Sequence, residues 1–362
     1  MKWFGRVSAA LILMSSISLL AVAQRPAVSA TAVEEEQPGP AASSGAAGGI
    51  VLDVVVTDKS GKPAPGLQQQ DFSIFDNNQP TRILAFHAPQ STPLPPGSID
   101  AGTEIILVID EVNTPFTRVT FAIQQVERFL RQDEGKLEHP LSLAFFTDHG
   151  LDIQTHPSID GNAMAAALEQ HRPGIRTPNL AMELVQRSQN ALDSLIAQER
   201  RRPARKVVIW IGPGWPYLAA PSQMPTAAQE QHIFASVVGL SAALREARIR
   251  MYSIDPLGAA VSGTGATSFY ETFTKGLTKP ERAEFGDLGL QVLAAQSGGR
   301  AIFGNEEIAT SIDRCIAELD GLYTLSIAAS PSDRANEYHE LTVKLGPAGL
   351  KARTRNGYYG QP

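Results

Sequence analysis

The feature that most constrains this chain is an alternation of apolar strand-like runs with amphipathic helical stretches over residues 101–320. Apolar residues recur at helical spacing at 121–129 and over much of 180–198. Strands that are joined through helices run parallel, and helices then cover both faces of their sheet. The pattern therefore predicts an α/β domain with a doubly wound, mainly parallel, Rossmann-like sheet. Its strand-like runs lie at 105–109, 141–146, 151–154, 207–211, 249–255 and 300–303.

The parts on either side, 49–98 and 321–362, show short alternating strands without helical spacing. Turn-forming residues at 58–63 predict that the first strand belongs to a local hairpin. Each part has too few strands to bury a core alone. We therefore expect the two parts to pack together as one small β-sandwich into which the α/β domain is inserted. Their strand-like runs lie at 50–57, 71–76, 82–86, 323–328, 339–345 and 351–353.

The N-terminus has the pattern of a secretory signal peptide. Lys2 and Arg6 precede an apolar stretch at 7–22, and the small residues of Ala21-Val22-Ala23 supply a cleavage pattern. Residues 1–23 are therefore predicted to be a signal peptide, followed at 24–48 by a flexible linker rich in Ala, Pro, Gly, Ser and Glu. We expect an exported protein, periplasmic or extracellular, with no integral membrane span after cleavage.

Charge and cysteine content narrow the function further. The formal net charge is -6, which argues against nucleic acid as a partner because such binding needs a broad positive field. The basic residues between Arg200 and Lys206 are interpreted as a solvated helix end. Cys315 is the only cysteine, so an intramolecular disulfide is impossible, and its apolar neighbours predict a buried position on a helix.

Polar residues follow the first strand of the α/β region, where the carboxyl ends of parallel strands form the usual ligand face. Asp110, Asn113 and Thr114 lie in this segment, which resembles the von Willebrand factor A family. In that family an Asp-x-Ser-x-Ser segment at this place forms a metal-ion-dependent adhesion site together with a Thr and an Asp from other loops. Asp110 matches the family Asp, Thr114 supplies a hydroxyl at the second Ser position, and Thr177 corresponds to the family Thr.

The resemblance also implies that this metal site is degenerate. Val112 stands where the family has a Ser, and the strand at 207–211 is followed by Gly212-Pro213-Gly214 instead of an Asp. Mg²⁺ needs a near-octahedral set of oxygen ligands that usually includes carboxylates. We therefore expect weak divalent binding or none, and no certain cofactor. The alternative is that Asp110 caps a turn or a helix.

A wider resemblance covers nearly the whole chain after the predicted signal peptide. Segments such as LDVVVTDKSGKPAPGLQQQDFSIFDNNQPTRILAF, IILVIDEVNT, VVIWIGPGWP and MYSIDP are similar to von Willebrand factor A-related proteins that are abundant in acidobacteria. This resemblance implies an exported protein with a β domain flanking the α/β domain.

The sequence contains no Gly-x-Ser-x-Gly elbow, no P-loop and no His-Glu-x-x-His pair, so we do not expect an enzyme. Trp215 and Tyr217 lie on a Gly/Pro loop at the expected ligand face and, with Asn113, are predicted to contact a ligand. The predicted function is adhesion-type binding of a protein or cell-envelope ligand. Two alternatives are a structural or assembly component of the cell envelope, which would use its β edges, and an unrecognised hydrolase.

Overall fold

A computed structural model describes residues 49–89, 102–174, 181–218, 224–257, 269–303 and 307–362. The predicted signal peptide and linker lie outside the described residues, as does Thr177. The strands are β1 (Gly49–Thr57), β2 (Phe72–Asp76), β3 (Gln79–Thr81), β4 (Ile83–His87), β5 (Thr103–Asp110), β6 (Lys136–Thr147), β7 (Gly150–Ile153), β8 (Ser158–Asp160), β9 (Arg205–Ile211), β10 (Ile249–Asp255), β11 (Arg300–Phe303), β12 (Leu322–Ala328), β13 (Glu337–Leu345), β14 (Lys351–Arg353) and β15 (Gly357–Gly360). The α-helices are α1 (Phe116–Leu130), α2 (Gly161–Gln170), α3 (Ala181–Glu199), α4 (Ala227–Glu246), α5 (Leu290–Gln296) and α6 (Ile308–Ala317).

The central sheet has the strand order β11-β10-β9-β5-β6-β7, with β8 paired to β6. Strands β11, β10, β9, β5 and β6 run parallel to their neighbours, whereas β7 and β8 are antiparallel to β6. The prediction of a mainly parallel sheet is confirmed, as is the antiparallel strand behind the turn that follows β6.

Helices cover both faces of this sheet because its strands are apolar on both sides. Ile105, Leu107 and Ile109 of β5 pack in a cluster with α1, α2 and α6. Ile106 and Val108 point to the other face, where they pack in a cluster with α3, α4 and α5. Successive residues of a strand point to opposite faces, so a continuous apolar run is the pattern of a strand buried on both sides.

Two antiparallel sheets of four strands each, β14-β1-β12-β4 and β15-β13-β2-β3, are built from both ends of the described chain. Strand β1 pairs with β12 from Gly49↔Ala328 to Val55↔Leu322, and β2 pairs with β13. Apolar side chains of β1, β2, β12, β13 and β15 form one shared cluster. All of these strands belong with the central sheet to one compact unit, which the contact pattern assigns to Gly45–Pro362.

The hairpin predicted around residues 58–63 forms only as a short turn. The chain returns antiparallel to β1 through a bridge between Thr57 and Pro63 and a hydrogen bond from the Ala64 amide to the Val56 carbonyl, whereas the strand partners of β1 are β12 and β14. The turn itself forms, because Asp58 Oδ1 accepts hydrogen bonds from the backbone of Ser60 and Lys62. Pairing of β1 with distant strands is favoured because these strands bury the apolar side chains of β1, which a short polar segment after the turn could not do.

The basic segment before β9 is only partly the solvated helix end that the sequence predicts. Arg200 is exposed, but Arg205 and Lys206 are buried within β9. Arg205 Nε donates to Asp53 Oδ2 of β1 at 3.0 Å, and so joins the central sheet to an antiparallel sheet. Lys206 Nζ donates to the carbonyl of Ala247 at 3.0 Å, and burial lowers the pKa of Lys206 to about 8.

A second charged cluster also joins the two kinds of sheet. Glu318 is buried, accepts from the hydroxyl of Tyr252 at 2.5 Å, and forms ion pairs with Arg353 of β14 and with Arg300 of β11. Burial alone raises the pKa of Glu318, but the two guanidinium groups outweigh that effect and hold the pKa below its usual range.

Two further predictions concern single features. Cys315 is fully buried on α6, as predicted, and burial raises the pKa of its thiol. Within the described ranges, none of the helices combines the length and the apolar character needed to cross a membrane.

Candidate functional site

The site predicted at the carboxyl ends of the parallel strands is centred on Asp110, the last residue of β5. Its side chain is fully buried. Oδ1 accepts hydrogen bonds from the backbone amides of Val112 at 3.1 Å and Asn113 at 2.8 Å. Oδ2 accepts from Asn113 Nδ2 at 2.9 Å and from Trp210 Nε1 at 3.0 Å. The carboxylate therefore closes the turn after β5 and ties it to the neighbouring strand β9.

The environment of Asp110 is apolar apart from these four donors. Trp210 is fully buried, with Phe146 packed edge-on to it at 5.8 Å and Trp215 at 5.7 Å between ring centroids. Burial raises the pKa of Asp110, although the hydrogen bonds from Asn113 and Trp210 act in the opposite direction. A buried carboxylate of this kind is stabilised by being fully hydrogen-bonded.

Asn113 and Thr114 lie beside this carboxylate and keep polar atoms free. Asn113 Nδ2 also donates to Ser188 Oγ of α3 at 3.0 Å, which leaves Asn113 Oδ1 buried without a partner among the described residues. Thr114 is 2% exposed, and its hydroxyl likewise has no partner in the described part of the chain. The structure brings Asp110 and Asn113 into contact and buries Thr114 in the same segment, whereas a shared site with Thr177 stays a prediction.

Gly212 stands where the resemblance would place a second carboxylate, and the structure has no room for one there. A Cβ atom at this position would lie 2.8 Å from Asp110 Cβ and 3.1 Å from Asp110 Oδ2. Real side chains do not make contacts this short, so an acid at 212 would have to displace Asp110.

The side chains present do not fit a divalent cation well. Both oxygens of Asp110 already accept two hydrogen bonds, and in the described ranges no three His, Cys, Asp or Glu residues are grouped as metal ligands. Mg²⁺ would have to displace these donors while gaining a single carboxylate, with the neutral oxygens of Asn113 and Thr114 as the other side-chain ligands. Weak divalent binding therefore stays a prediction.

The aromatic contact patch predicted at Trp215 and Tyr217 needs correction. Trp215 is 3% exposed and packs in the core against Trp210, and Tyr217 is half-buried, which raises the pKa of its hydroxyl. The Gly/Pro loop turns Trp215 inward because Gly214 adopts a φ of +94° and Gln291 fills the space above it. Two polar atoms here, Trp215 Nε1 and Gln291 Oε1, are buried without a described partner.

The exposed aromatic side chain at this end is Phe116, which the sequence argument did not single out. It begins α1, lies two residues after Thr114, and is 56% exposed. Its exposure could have been predicted from the sequence. The first turn of a helix that follows a strand lies beyond the end of the sheet, so a large apolar residue there cannot pack on the sheet. Single exposed apolar side chains are common, so Phe116 marks the rim without proving a contact.

A second group that the sequence argument missed is the pair of Glu111 and His171. His171 Nε2 lies 2.5 Å from Glu111 Oε1, and Glu111 Oε2 accepts from the backbone amide of Gly174 at 3.0 Å. The imidazole stacks on Phe145 with 3.8 Å between ring centroids. Glu111 follows Asp110 directly and therefore points to the other side of the strand end, which alternation along β5 could have indicated.

A groove of about 510 Å³ adjoins His171, between β6, β7 and α2. Its polar lining includes Asp152, Gln154 and Gln170, and its apolar lining includes Phe145 and Met164. The strand-end region therefore has the buried, hydrogen-bonded carboxylate of Asp110 on one side and an open groove beside His171 on the other.

No protein-family model and no curated protein sequence matches this chain. Among solved structures it is similar to proximal thread matrix protein 1 from the mussel byssus, with 12% identity over 69% of this chain and 48% of that chain and a TM-score of 0.33. It is similar to the SpRpn10 VWA domain, with 10% identity over 59% and 94% and a TM-score of 0.28. It is also similar to the PilB minor pilin from Streptococcus sanguinis, with 10% identity over 64% of each chain and a TM-score of 0.35.

These matches include a von Willebrand factor A domain, but they are partial. The alignments span 38% and 48% of the two mussel structures. The fold is therefore defined by the strand order and strand directions of the central sheet, and the candidate site by the contacts of its residues.

Proposed function

We propose that this protein is an exported binding protein of the von Willebrand factor A type, which engages a protein or cell-envelope ligand, without catalysis at that site, at the carboxyl ends of its parallel strands. Asp110 acts there as a structural anchor, so binding does not depend on a metal. Asn113 and Thr114 contact the ligand, with Phe116 and Tyr217 at the rim.

One observation carries the proposal: of the eleven buried side-chain polar atoms that lack a hydrogen-bond partner in the described part of the chain, four lie near the carboxyl ends of β5 and β9. They are Asn113 Oδ1, Thr114 Oγ1, Trp215 Nε1 and Gln291 Oε1. Leaving a buried donor or acceptor unpaired costs about 1–3 kcal/mol, and folded proteins tolerate few such atoms. Their presence at the face where α/β folds bind ligands favours hydrogen bonding to something that comes from outside the chain.

The architecture proposed with this function is a β-sandwich that carries the α/β domain as an insertion. The shared apolar cluster of the two antiparallel sheets supports it, as do the ion pairs of Arg205 with Asp53 and of Arg353 with Glu318. Such a base would hold the strand-end face in a fixed orientation. The signal-peptide pattern at 1–23 supports export.

Thr114→Val tests the proposal without disturbing the fold. Valine has nearly the shape of threonine, and the hydroxyl it removes has no described partner, so stability should change by less than about 1 kcal/mol. Thr117→Val is the matched control, because Thr117 is exposed on the first turn of α1.

Binding is measured with purified envelope material immobilised on a sensor surface, with and without a chelator. We expect Thr114→Val to weaken binding at least tenfold, Thr117→Val to bind like wild type, and the chelator to have no effect. Equal binding by both variants would refute the strand-end site. Loss of binding only when a β edge is blocked would favour the assembly role instead.

A further inference from the structure

Three polar side chains of the antiparallel sheets are hydrogen-bonded in series. Asp76 ends β2, His339 lies in β13, and Ser332 lies in the loop between β12 and β13. His339 Nδ1 is 2.9 Å from Asp76 Oδ1, and His339 Nε2 is 2.9 Å from Ser332 Oγ. Both distances suit a nucleophile, a base and a group that orients the base. Such a constellation is recognised by geometry because its members need no fixed sequence spacing.

The hydrogen-bond partners decide where the protons are. An ionised carboxylate only accepts, so His339 Nδ1 donates to Asp76. In the neutral imidazole, Nε2 is then the acceptor, and the Ser332 hydroxyl donates its proton to it. Tyr358 donates to the other oxygen of Asp76 at 2.7 Å, and its ring stacks on His339 with 4.8 Å between centroids. The imidazole is therefore held in one tautomer and one orientation.

Burial separates the roles of the three groups. Asp76 is 1% exposed and His339 is 2% exposed, so neither is well hydrated. Ser332 is half-buried and lies between the exposed residues Pro331 and Asp333 on a surface loop. A hydroxyl at the surface whose proton points to a shielded base has the arrangement that nucleophilic attack requires.

Gly360 leaves the space that the Ser332 hydroxyl occupies. A Cβ atom at this position would lie 1.9 Å from Ser332 Oγ and 3.1 Å from His339 Nε2. Any larger residue would push the hydroxyl away from the imidazole. The hydrogen bond between Ser332 and His339 therefore depends on a glycine in β15.

We propose that Ser332 is a nucleophile for small activated carboxylic esters, with His339 as its base and Asp76 as the residue that positions His339. This activity lies outside the strand-end face and is independent of the proposed binding function. Ser332 Oγ attacks the ester carbonyl carbon while its proton passes to His339 Nε2. The ester C–O bond then breaks, His339 gives the proton to the departing alkoxide, and an acyl group remains on Ser332.

Water completes the cycle without any further reactant. It attacks the acyl carbon as His339 Nε2 takes one of its protons. The bond between Ser332 Oγ and the acyl carbon breaks, and the proton returns to Ser332 Oγ. The products are one carboxylic acid and one alcohol for each ester and water consumed.

The test uses the full-length exported protein and a fluorophosphonate probe, which reacts with activated serine hydroxyls. We expect one probe per chain, located on Ser332 by peptide mass spectrometry, and p-nitrophenyl acetate hydrolysis that falls to background in Ser332→Ala. Ser330→Ala is the matched control, and it should keep both the label and the hydrolysis. An unlabelled Ser332, or labelling of Ser332 no faster than that of Ser330, would overturn the proposal.

Two further variants test the base. His339→Gln and Gly360→Ala should each slow labelling of Ser332 at least tenfold, with folding checked by circular dichroism. Gly360→Ala leaves all three groups in the chain, so it remains informative where His339→Gln fails to fold. Labelling at the wild-type rate in either folded variant would show that His339 does not activate Ser332.

Discussion

Asp110→Ala is the substitution that separates a structural anchor from a metal ligand. Removing the carboxylate leaves Trp210 Nε1 without an acceptor inside a fully buried region, together with the backbone amide and the side-chain amide of Asn113. Each unpaired buried donor costs about 1–3 kcal/mol. Loss of the buried charge offsets part of this, because burial raises the pKa of Asp110 and so makes its ionised form costly. We expect a net loss of about 2–4 kcal/mol in the free energy of unfolding.

Asp58→Ala is the matched control for this experiment. Asp58 forms the same kind of turn, accepting from the amides of Ser60 and Lys62, but it lies at the surface where water can replace it. Its removal should therefore cost much less than removal of Asp110. Urea unfolding followed by tryptophan fluorescence gives the comparison.

The same titrations in millimolar Mg²⁺ decide the role of Asp110. A ligand that binds only the folded state stabilises it by RT ln(1 + [L]/Kd). We expect no measurable stabilisation of the wild type. Equal stability of the Asp110→Ala and Asp58→Ala variants, or a large Mg²⁺ effect that Asp110→Ala abolishes, would refute the interpretation of Asp110 as an anchor.

Two further predictions concern the buried charged groups Glu318 and Lys206. Glu318→Gln leaves the guanidinium of Arg353 without a counter-charge and should lower the free energy of unfolding by about 2–4 kcal/mol. Glu307→Gln, in an exposed pair with Arg128, is the control and should lower it by at most about 1 kcal/mol. Equal urea midpoints of the two variants would contradict this. The pKa of Lys206 is about 8 in the folded protein and 10.5 ordinarily, so the folded state binds fewer protons between these values and stability rises with pH there. Lys206→Met should remove that rise, and identical pH profiles would show that Lys206 does not cause it.

The sequence predicts the central sheet well because its signals are local. A run such as Ile105–Ile109 is apolar on both faces, and this property belongs to the strand itself. The antiparallel sheets are harder to predict, because β1 could pair with strands that are close or distant along the chain. Its register with β12 joins residues such as Val55 and Leu322, and only the shared core selects it. The local turn at 58–63 therefore predicts only a short bridged return and not the strand partners of β1.

The candidate site shows the same division. The contact between Asp110 and Asn113 could be predicted because the two residues are neighbours in the chain, whereas their role in binding stays a prediction. It could not show that Trp210 donates to Asp110, since that contact depends on the alignment of β5 with β9. The motif also could not predict that Trp215 is buried, because aromatic residues on Gly/Pro loops are found both in cores and at surfaces.

Gly212 and Trp210 together determine how the Asp110 carboxylate is held. Gly212 provides the space in which the Asp110 carboxylate lies, and Trp210 supplies an N–H donor to Oδ2. An aspartate at 212 alone would clash with the first carboxylate and would leave Trp210 and Asn113 as donors at the place where a cation would have to bind. Donors repel a cation and favour acceptors such as carboxylate or carbonyl oxygens. The end of β5 is therefore a buried hydrogen-bonded anchor, and under the proposed function ligand recognition falls to the polar atoms of Asn113 and Thr114 that have no described partner.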